Sequence, residues 1–381
     1  RRLVNALDGQ DRLNTIPGLS YKHDGKWVHN EPAPLCDLSR LKLPIRDRRR
    51  LTSGYHLMFK RIEVLEISRG CTRDCNFCSI RNMYGRSYRT YPVERIIADL
   101  DDIYFNKKTR FVFIADDNMV LNPKWVMEVC EAVIRRNYGH LELAVQADCN
   151  AIAKNEAMVA KMAQAGFRVI FLGIENVSER NLQMMHKADV LKTSRQAIDH
   201  CHRNGMMVIG GLIFGLPDDD EEAIRRNYQY LRDLEVDAPY CQMLSPFPGT
   251  ALREELSMEG LLTNSDQYTR YNGLWANVKT RHMEADELQY AFWYHRQVTL
   301  GWWTPSPFIR KRGKVWVSIW THAAKPLMKF FVDRKLSKQG WEGRYRQYIE
   351  RLDRMNRFKD LKPYERRRQE PLSESRETGR P

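Results

Sequence analysis

The chain has 381 residues, with 62 Lys plus Arg against 48 Asp plus Glu, a net charge of +14, 43% hydrophobic residues and 10% aromatic ones. That is too much apolar material for a disordered chain and too much charge for an integral membrane bundle, so at least one large packed core is expected. The longest nearly uncharged apolar run, Met206 to Pro217, has 12 residues, short of the roughly 20 that a membrane-spanning helix needs. Residues 301–381 hold 21 Lys plus Arg and 9 Asp plus Glu, a net of +12, which leaves +2 for the first 300. The basic excess therefore belongs to the C-terminal segment, and the body of the chain is close to neutral.

At the N-terminus, Arg1 to Leu13 reads as the end of a helix whose beginning lies upstream, so the chain is expected to be a fragment or a processed product. No signal-peptide pattern follows, though a start that is not the protein's own carries little weight on localisation; the expected localisation is cytoplasmic, with membrane association as the alternative. Asp24-Gly25 between Leu19–Tyr21 and Trp27–His29 predicts a small β-hairpin, because this dipeptide suits a tight two-residue turn. Six β-branched runs then recur: Ile62 to Ile67, Phe111 to Ala115, Leu141 to Ala147, Val169 to Ile174, Val208 to Phe214 and Tyr240 to Leu244. Amphipathic stretches separate them, at about Val93 to Asn106, Pro123 to Arg136, Asn155 to Ala165, Leu191 to Asn204 and Asp220 to Leu234. Strands alternating with helices at this spacing predict a parallel sheet. No Gly-x-Gly-x-x-Gly follows the first strand, which favours a barrel over a dinucleotide-binding sheet. Pro123 at a first helical turn, and Gly166 and Gly205 just past helix ends, punctuate the same division. The expected fold class is α/β: a partial (βα)6 TIM-type barrel with a short N-terminal hairpin linker and a helical, basic C-terminal extension.

Five of the eight cysteines, Cys36, Cys130, Cys149, Cys201 and Cys241, are scattered singly and read as small core residues. The other three form Cys71-Thr-Arg-Asp-Cys75-Asn-Phe-Cys78, immediately after the first strand. Three thiolates in eight residues can turn inward on one metal centre. Tetrahedral zinc wants a fourth ligand, and His56 and Cys130 are distant in sequence. Three ligands without a fourth suit a 4Fe-4S cluster that keeps one iron open. A disulfide framework would leave one thiol over. The C-terminal end of a parallel barrel strand is also where such folds carry their active sites.

Cys-x3-Cys-x-Phe-Cys after a first barrel strand resembles the signature of the radical S-adenosylmethionine (SAM) enzymes, and the resemblance runs over roughly Ile62 to Thr250. It implies that Cys71, Cys75 and Cys78 hold a 4Fe-4S cluster whose open iron takes SAM, with Phe77 near the adenine. After the second strand, Asp116-Asp117-Asn118 stands where many members have Gly-Gly-Glu, and its oxygens can accept from the methionine ammonium. Gln146 ends the third strand and is matched to the ribose or the methionine carboxylate. Gly173-Ile-Glu175-Asn176 ends the fourth and resembles the ribose-contacting element. Gly211-Leu-Ile213-Phe-Gly215 ends the fifth and is matched to the adenine, which glycines allow to come close. Ser245 to Thr250 resembles a closing loop of one branch.

The stretch from Asn14 to Pro44 resembles the linker that joins a cobalamin-binding domain to the radical core in one branch. The Asp-x-His-x-x-Gly ligand motif of that domain does not occur, so cobalamin is not expected to be held by that motif within this chain. The implied organisation is 1–55 as the end of a cobalamin-type domain plus linker, 56–255 as the radical core, 256–358 as a helical extension and 359–381 as a disordered tail. The implied reaction is reductive cleavage of SAM to a 5′-deoxyadenosyl radical. It would serve cobalamin-linked C-methylation, or oxidative cyclisation or rearrangement, of a lipophilic or porphyrin-like small molecule, with a reductant such as flavodoxin or ferredoxin. No proton donor or acceptor for the substrate is identified. Two alternatives are a methylthiotransferase, which would need a β-rich RNA module where the chain after residue 250 looks helical, and a non-catalytic iron–sulfur or zinc module, which usually supplies four ligands.

Met283 to Leu300 has a helical pattern crowded with Tyr290, Phe292, Trp293, Tyr294 and His295, which reads as core packing ahead of a substrate-pocket wall. Residues 302–331 interleave Trp and Phe with Lys and Arg, and Pro326 interrupts any single long helix there. That composition suits a helical cap on the barrel or peripheral contact with an anionic membrane. Nucleic acid is disfavoured, because no RNA-binding module or zinc finger accompanies the charge.

Overall fold

The structure, a computed structural model, describes residues 2–9, 12–49, 55–57, 60–187, 189–300 and 325–356. Except for the helical backbone from Lys325, the aromatic and basic stretch 302–331 lies outside them, as does the tail 359–381.

Six strands, β1 (Lys60–Leu65), β2 (Phe111–Ile114), β3 (Glu142–Ala147), β4 (Phe167–Glu175), β5 (Met207–Phe214) and β6 (Ala238–Met243), pair in parallel in chain order and curl into a half-barrel. The two-residue strand His56–Leu57 adds to the outer side of β1, antiparallel. Helices follow the strands: α1 (Ile80–Tyr84) and α2 (Val93–Asp101) after β1, α3 (Pro123–Arg136) after β2, and α4 (Cys149–Lys154) and α5 (Glu156–Gln164) after β3. Then come α6 (Glu179–Met184) and α7 (Val190–Arg203) after β4, α8 (Glu221–Asp233) after β5, and α9 (Ala251–Met258), α10 (Ala285–Leu300) and α11 (Lys325–Asn356) after β6.

The two-residue period of each strand divides the sheet into two faces. On β4, Ile170, Leu172 and Ile174 are fully buried and join Val208, Leu212 and Phe214 of β5 in one core under the helices. Phe171, Gly173 and Glu175, with Ile209, Gly211 and Ile213, lie on the opposite, concave face. The helices meet the core with a matching stripe. On α3, Trp125, Val126, Val129, Cys130 and Val133 are buried, each contributing roughly 1.5–3 kcal/mol by removal from water. Pro123 opens that helix, the Asn122 side chain accepts from Trp125 N, and Asn137 closes it in the left-handed region at φ 56°. Gly166, at φ 103°, turns α5 into β4, and a Cβ there would lie 2.7 Å from Leu141 O.

The N-terminal hairpin pairs Ser20–His23 with Lys26–His29 around Asp24 (φ 49°) and Gly25 (φ 77°), as the dipeptide predicts. The linker after it is tied to the barrel by buried Arg46, whose Nη1 lies 2.5 Å from Asp99 Oδ1 and 3.1 Å from Asp102 Oδ2. At the other edge, β6 contains Pro239, and the segment after α9 crosses its end, where Met243 N donates to Gly273 O at 2.8 Å.

The aromatic residues of α10 are packed inward: Phe292 sits 5.3 Å from Phe214, and Trp293 stands against Trp341 and Tyr345 of α11. Pro326 falls in the first turn of α11, and the break inside that helix comes at Gly340, φ 65°. Among the described residues no helix is long and apolar enough to cross a membrane.

Candidate active site

Beyond β1 the chain forms a short antiparallel ribbon, Ser68–Arg69 with Arg89–Thr90, and the cysteine loop extends from it. Gly70 leaves this ribbon at φ 90°, where a Cβ would lie 2.3 Å from Ser87 O, so no other residue fits. Cys71, Cys75 and Cys78 are half-buried free thiols. Two donors point at the first sulfur: Arg73 N at 3.5 Å and Asn118 Nδ2 at 3.9 Å from Cys71 Sγ. Burial pushes the Cys75 thiol up to about 11, and burial likewise raises Cys78.

The loop is held on several sides. Arg81 and Arg86 both pair with Asp74, the His186 ring nitrogen Nδ1 lies 2.7 Å from Asp74 O, and Arg73 Nη2 lies 2.5 Å from Asp148 Oδ1. Asn76 is buried; its carbonyl accepts from Leu252 N of α9 at 3.2 Å, and its Oδ1 has no partner.

Of the strand-end residues named from the sequence, Asp116, Asp117, Asn118 and Gln146 are tied to this loop directly or through one another, with unequal freedom. Asp116, 1% exposed, accepts from Ile67 N at 2.9 Å and from Ser68 Oγ at 2.5 Å, so both oxygens brace the base of the cysteine loop. Burial raises its carboxyl to about 7. Asp117 Oδ2 accepts from Gly70 N at 2.8 Å. Asn118 donates toward Cys71, and its buried Oδ1 has no partner. Gln146 Nε2 lies 3.4 Å from Asp116 O. Phe77 is partly buried against the core.

At the end of β4, Glu175 is a non-glycine residue at φ 66°, and its carboxylate folds back over Gly173, where a Cβ would lie 2.4 Å from Glu175 Oε1. Its partner is Lys187, Nζ at 3.1 Å, which sequence reading did not single out. Burial opposes the Lys187 charge, but Glu175, Cys75, Asp148 and Cys149 outweigh it and hold the ammonium above its ordinary value. A lone lysine in the turn between α6 and α7 has no pattern to betray it. Only the fold brings it beside the cysteines.

The β4 and β5 ends are braced from behind. Fully buried Asp219 accepts from Gly215 N at 2.9 Å, Leu216 N at 3.1 Å and Asn181 Nδ2 at 2.8 Å, and burial raises its carboxyl to about 6. Gly215 takes φ 88°, and the space its Cβ would enter belongs to Leu288 and Val278 of the C-terminal region. At this glycine the structure thus shows tight packing of the chain on itself, a requirement additional to the close adenine approach expected from sequence.

Among the described residues no three His, Cys, Asp or Glu side chains are gathered so as to hold a single metal ion. The donor set itself fits an iron–sulfur cluster: thiols without competing disulfides, N–H donors aimed at sulfur, and no fourth protein ligand in the loop. The unpartnered Asn118 Oδ1 is an acceptor awaiting a donor beside them.

Residues 65–231 match the family described as the Radical SAM superfamily. An uncharacterized methyltransferase of Pyrococcus horikoshii is 26% identical over 289 residues, covering 76% of this chain and 62% of the relative. The anaerobic magnesium-protoporphyrin IX monomethyl ester cyclase of Rubrivivax gelatinosus is 26% identical over 301 residues, covering 75% of this chain and 52% of the relative. The chain thus spans between about half and two thirds of the length of these relatives. In fold it is similar to the cobalamin-dependent SAM radical enzyme OxsB, with a TM-score of 0.62 at 15% identity, covering 93% of this chain and 58% of that one. Three cysteines just beyond the first strand of a parallel half-barrel, and a family match that runs from the last residue of β1 through β5, identify residues 65–231 as a radical SAM domain.

Proposed function

We propose that this protein uses Cys71, Cys75 and Cys78 to hold a 4Fe-4S cluster, and that it binds SAM across the ends of β2 to β5. When bound, the cluster and SAM supply the reductive cleavage that releases methionine and a 5′-deoxyadenosyl radical for hydrogen abstraction. The chain's part is to bind, orient and exclude water. Asn118 Oδ1 and Asp117 accept from the methionine ammonium, and Lys187 faces its carboxylate, exchanging part of its contact with Glu175. Glu175 and Gln146 take the ribose hydroxyls. Phe77, Ile213 and Gly215 border the adenine, with Gly173 giving Glu175 its room. Asp116 and Asp219 act one layer behind, fixing the loops that carry these groups.

The reaction served is C-methylation linked to cobalamin, or oxidative cyclisation or rearrangement, of a lipophilic or porphyrin-like molecule. In this reading residues 1–55 are the end of a cobalamin-type domain with its linker, 56–255 the radical core, 256–358 a helical extension and 359–381 a tail. A flavodoxin or ferredoxin supplies the electron in the cytoplasm, and residues 302–331 contact a membrane surface peripherally. The observation that carries the reading is three free thiols in one loop, with an unpartnered buried acceptor, Asn118 Oδ1, beside the first of them and a largely buried ammonium, Lys187, at the same end of the sheet.

Anaerobic reconstitution with iron and sulfide tests it. Iron and sulfide bound in near-equal amounts, with SAM cleaved to 5′-deoxyadenosine only when a reductant is added, is the expected result. Cleavage that survives Cys75→Ala, or a purified protein holding one zinc and no sulfide, would refute it.

A further inference from the structure

The concave face of the half-barrel leads directly to the thiol site. Its outer walls are open: Val64 on β1 is 50% exposed and Tyr240 on β6 49% exposed, although both point inward from opposite strands of one sheet. Between them Phe113, Phe171 and Ile213 line the same face, placed there by the strand registers. The Phe171 ring lies over Gly211, where a Cβ would come within 2.5 Å of it, and meets Tyr240 edge-on at 5.5 Å. Gly211 therefore lets the aromatic pair lie back against β5.

The charge pattern of this face is one-sided. Its floor is an ion pair, Lys60 Nζ 2.7 Å from Glu142 Oε1. From there to the strand-end site, no inward position on the six strands carries a charge among the described residues. The polar groups on the way are amides already engaged, Gln242 with Tyr240 Oη at 2.7 Å and Gln146 with Asp116 O. At the mouth, Arg69, Arg73 and Lys187 are each paired, with Glu66, Asp148 and Glu175. Among the described residues a carboxylate entering here finds no spare cation, and burying one unpaired is costly.

We infer that the concave face receives an uncharged, largely hydrocarbon substrate, held against Val64, Phe171 and Tyr240, and not a carboxylate-bearing tetrapyrrole. This rests on the reading of the thiol site given above and narrows its substrate class. Phe171 and Tyr240 act as specificity-determining residues, offering ring edges and faces to C–H groups.

The test is equilibrium dialysis of the reconstituted protein with SAM against two detergent-dispersed probes, a neutral pentacyclic triterpene hydrocarbon and protoporphyrin IX. The triterpene is expected to bind at least about tenfold more tightly. Tyr240→Arg and Val64→Lys, on opposite half-exposed walls, are each expected to weaken triterpene binding by about tenfold or more, since the new cation must be stripped of water against hydrocarbon. Protoporphyrin binding as tightly as triterpene, no binding of triterpene, or unchanged triterpene binding in both variants overturns the inference. Failure of the underlying reading shows separately, as absence of bound iron and sulfide and of SAM cleavage by the wild-type protein with reductant and no probe.

Discussion

The Asp116 carboxylate, at the end of β2, takes the Ser68 hydroxyl at 2.5 Å, and through it the second strand fixes the start of the cysteine loop that follows the first. A buried acid whose carboxyl is raised to about 7 binds its proton more tightly folded than unfolded. Its stabilising contribution is therefore complete below the ordinary carboxyl range near pH 4 and is lost as pH rises toward 7. Asp116→Asn mimics the protonated form and removes this slope. Urea unfolding at pH 5 and pH 8 is expected to show the wild type losing about 2 kcal/mol more than the variant over that interval; equal losses would mean that Asp116 is ionised throughout.

The cysteines divide into two groups with different expected losses. Cys71→Ala, Cys75→Ala and Cys78→Ala should each abolish stable iron uptake on reconstitution. Cys130 and Cys201 are fully buried in the core. Replacing either with Ala should leave bound iron at the wild-type level while lowering stability by about 1 kcal/mol, as for a small core truncation. Iron and sulfide assays beside thermal melts check both halves.

Gly70 offers a sharper probe of the loop than the cysteines themselves. Its positive φ and the approach of Ser87 O leave no room for a methyl group. Gly70→Ala is expected to lower unfolding free energy by about 2–4 kcal/mol and to reduce iron retention with every thiol still present. Wild-type iron content in a destabilised Gly70→Ala protein would show that the ribbon does not set the loop's shape.

Lys187 and Glu175 can be separated by a double-mutant cycle. Lys187→Met leaves a largely buried carboxylate without its partner, and a loss of about 3 kcal/mol is expected. Glu175→Gln combined with it should recover more than half of that loss, because the orphaned charge is gone. SAM affinity should fall in both single variants and stay low in the double, which distinguishes a binding role from a purely structural one.

Much of this architecture was legible in the residues. The six apolar runs gave strands whose ends lie within about two residues of those observed, because buried parallel strands are continuous Val, Ile and Leu runs that need no context. The cysteine loop was legible because its spacing is local. Lys187 was not, since its meaning depends on a turn folding back from α6 to a point beside Cys75. Asp219 was hidden for a related reason: the middle aspartate of Asp218-Asp219-Asp220 looks like surface charge, yet its neighbours cap α8 and pair with Arg180 and Arg281 while it turns inward. The ribbon Ser68–Arg69 with Arg89–Thr90 and the six-residue helices α4 and α6 are too short to carry a periodic pattern.

A sheet that stops halfway round keeps a free border, and free borders invite other strands to add on. Here β6 has Pro239, which removes one backbone donor from the row, and Met243 N is already taken by Gly273 O. With one donor missing near its start and another taken at its end, the strand is a poor template for a second molecule. The half-barrel can thus keep this border open without its becoming a seed for self-association.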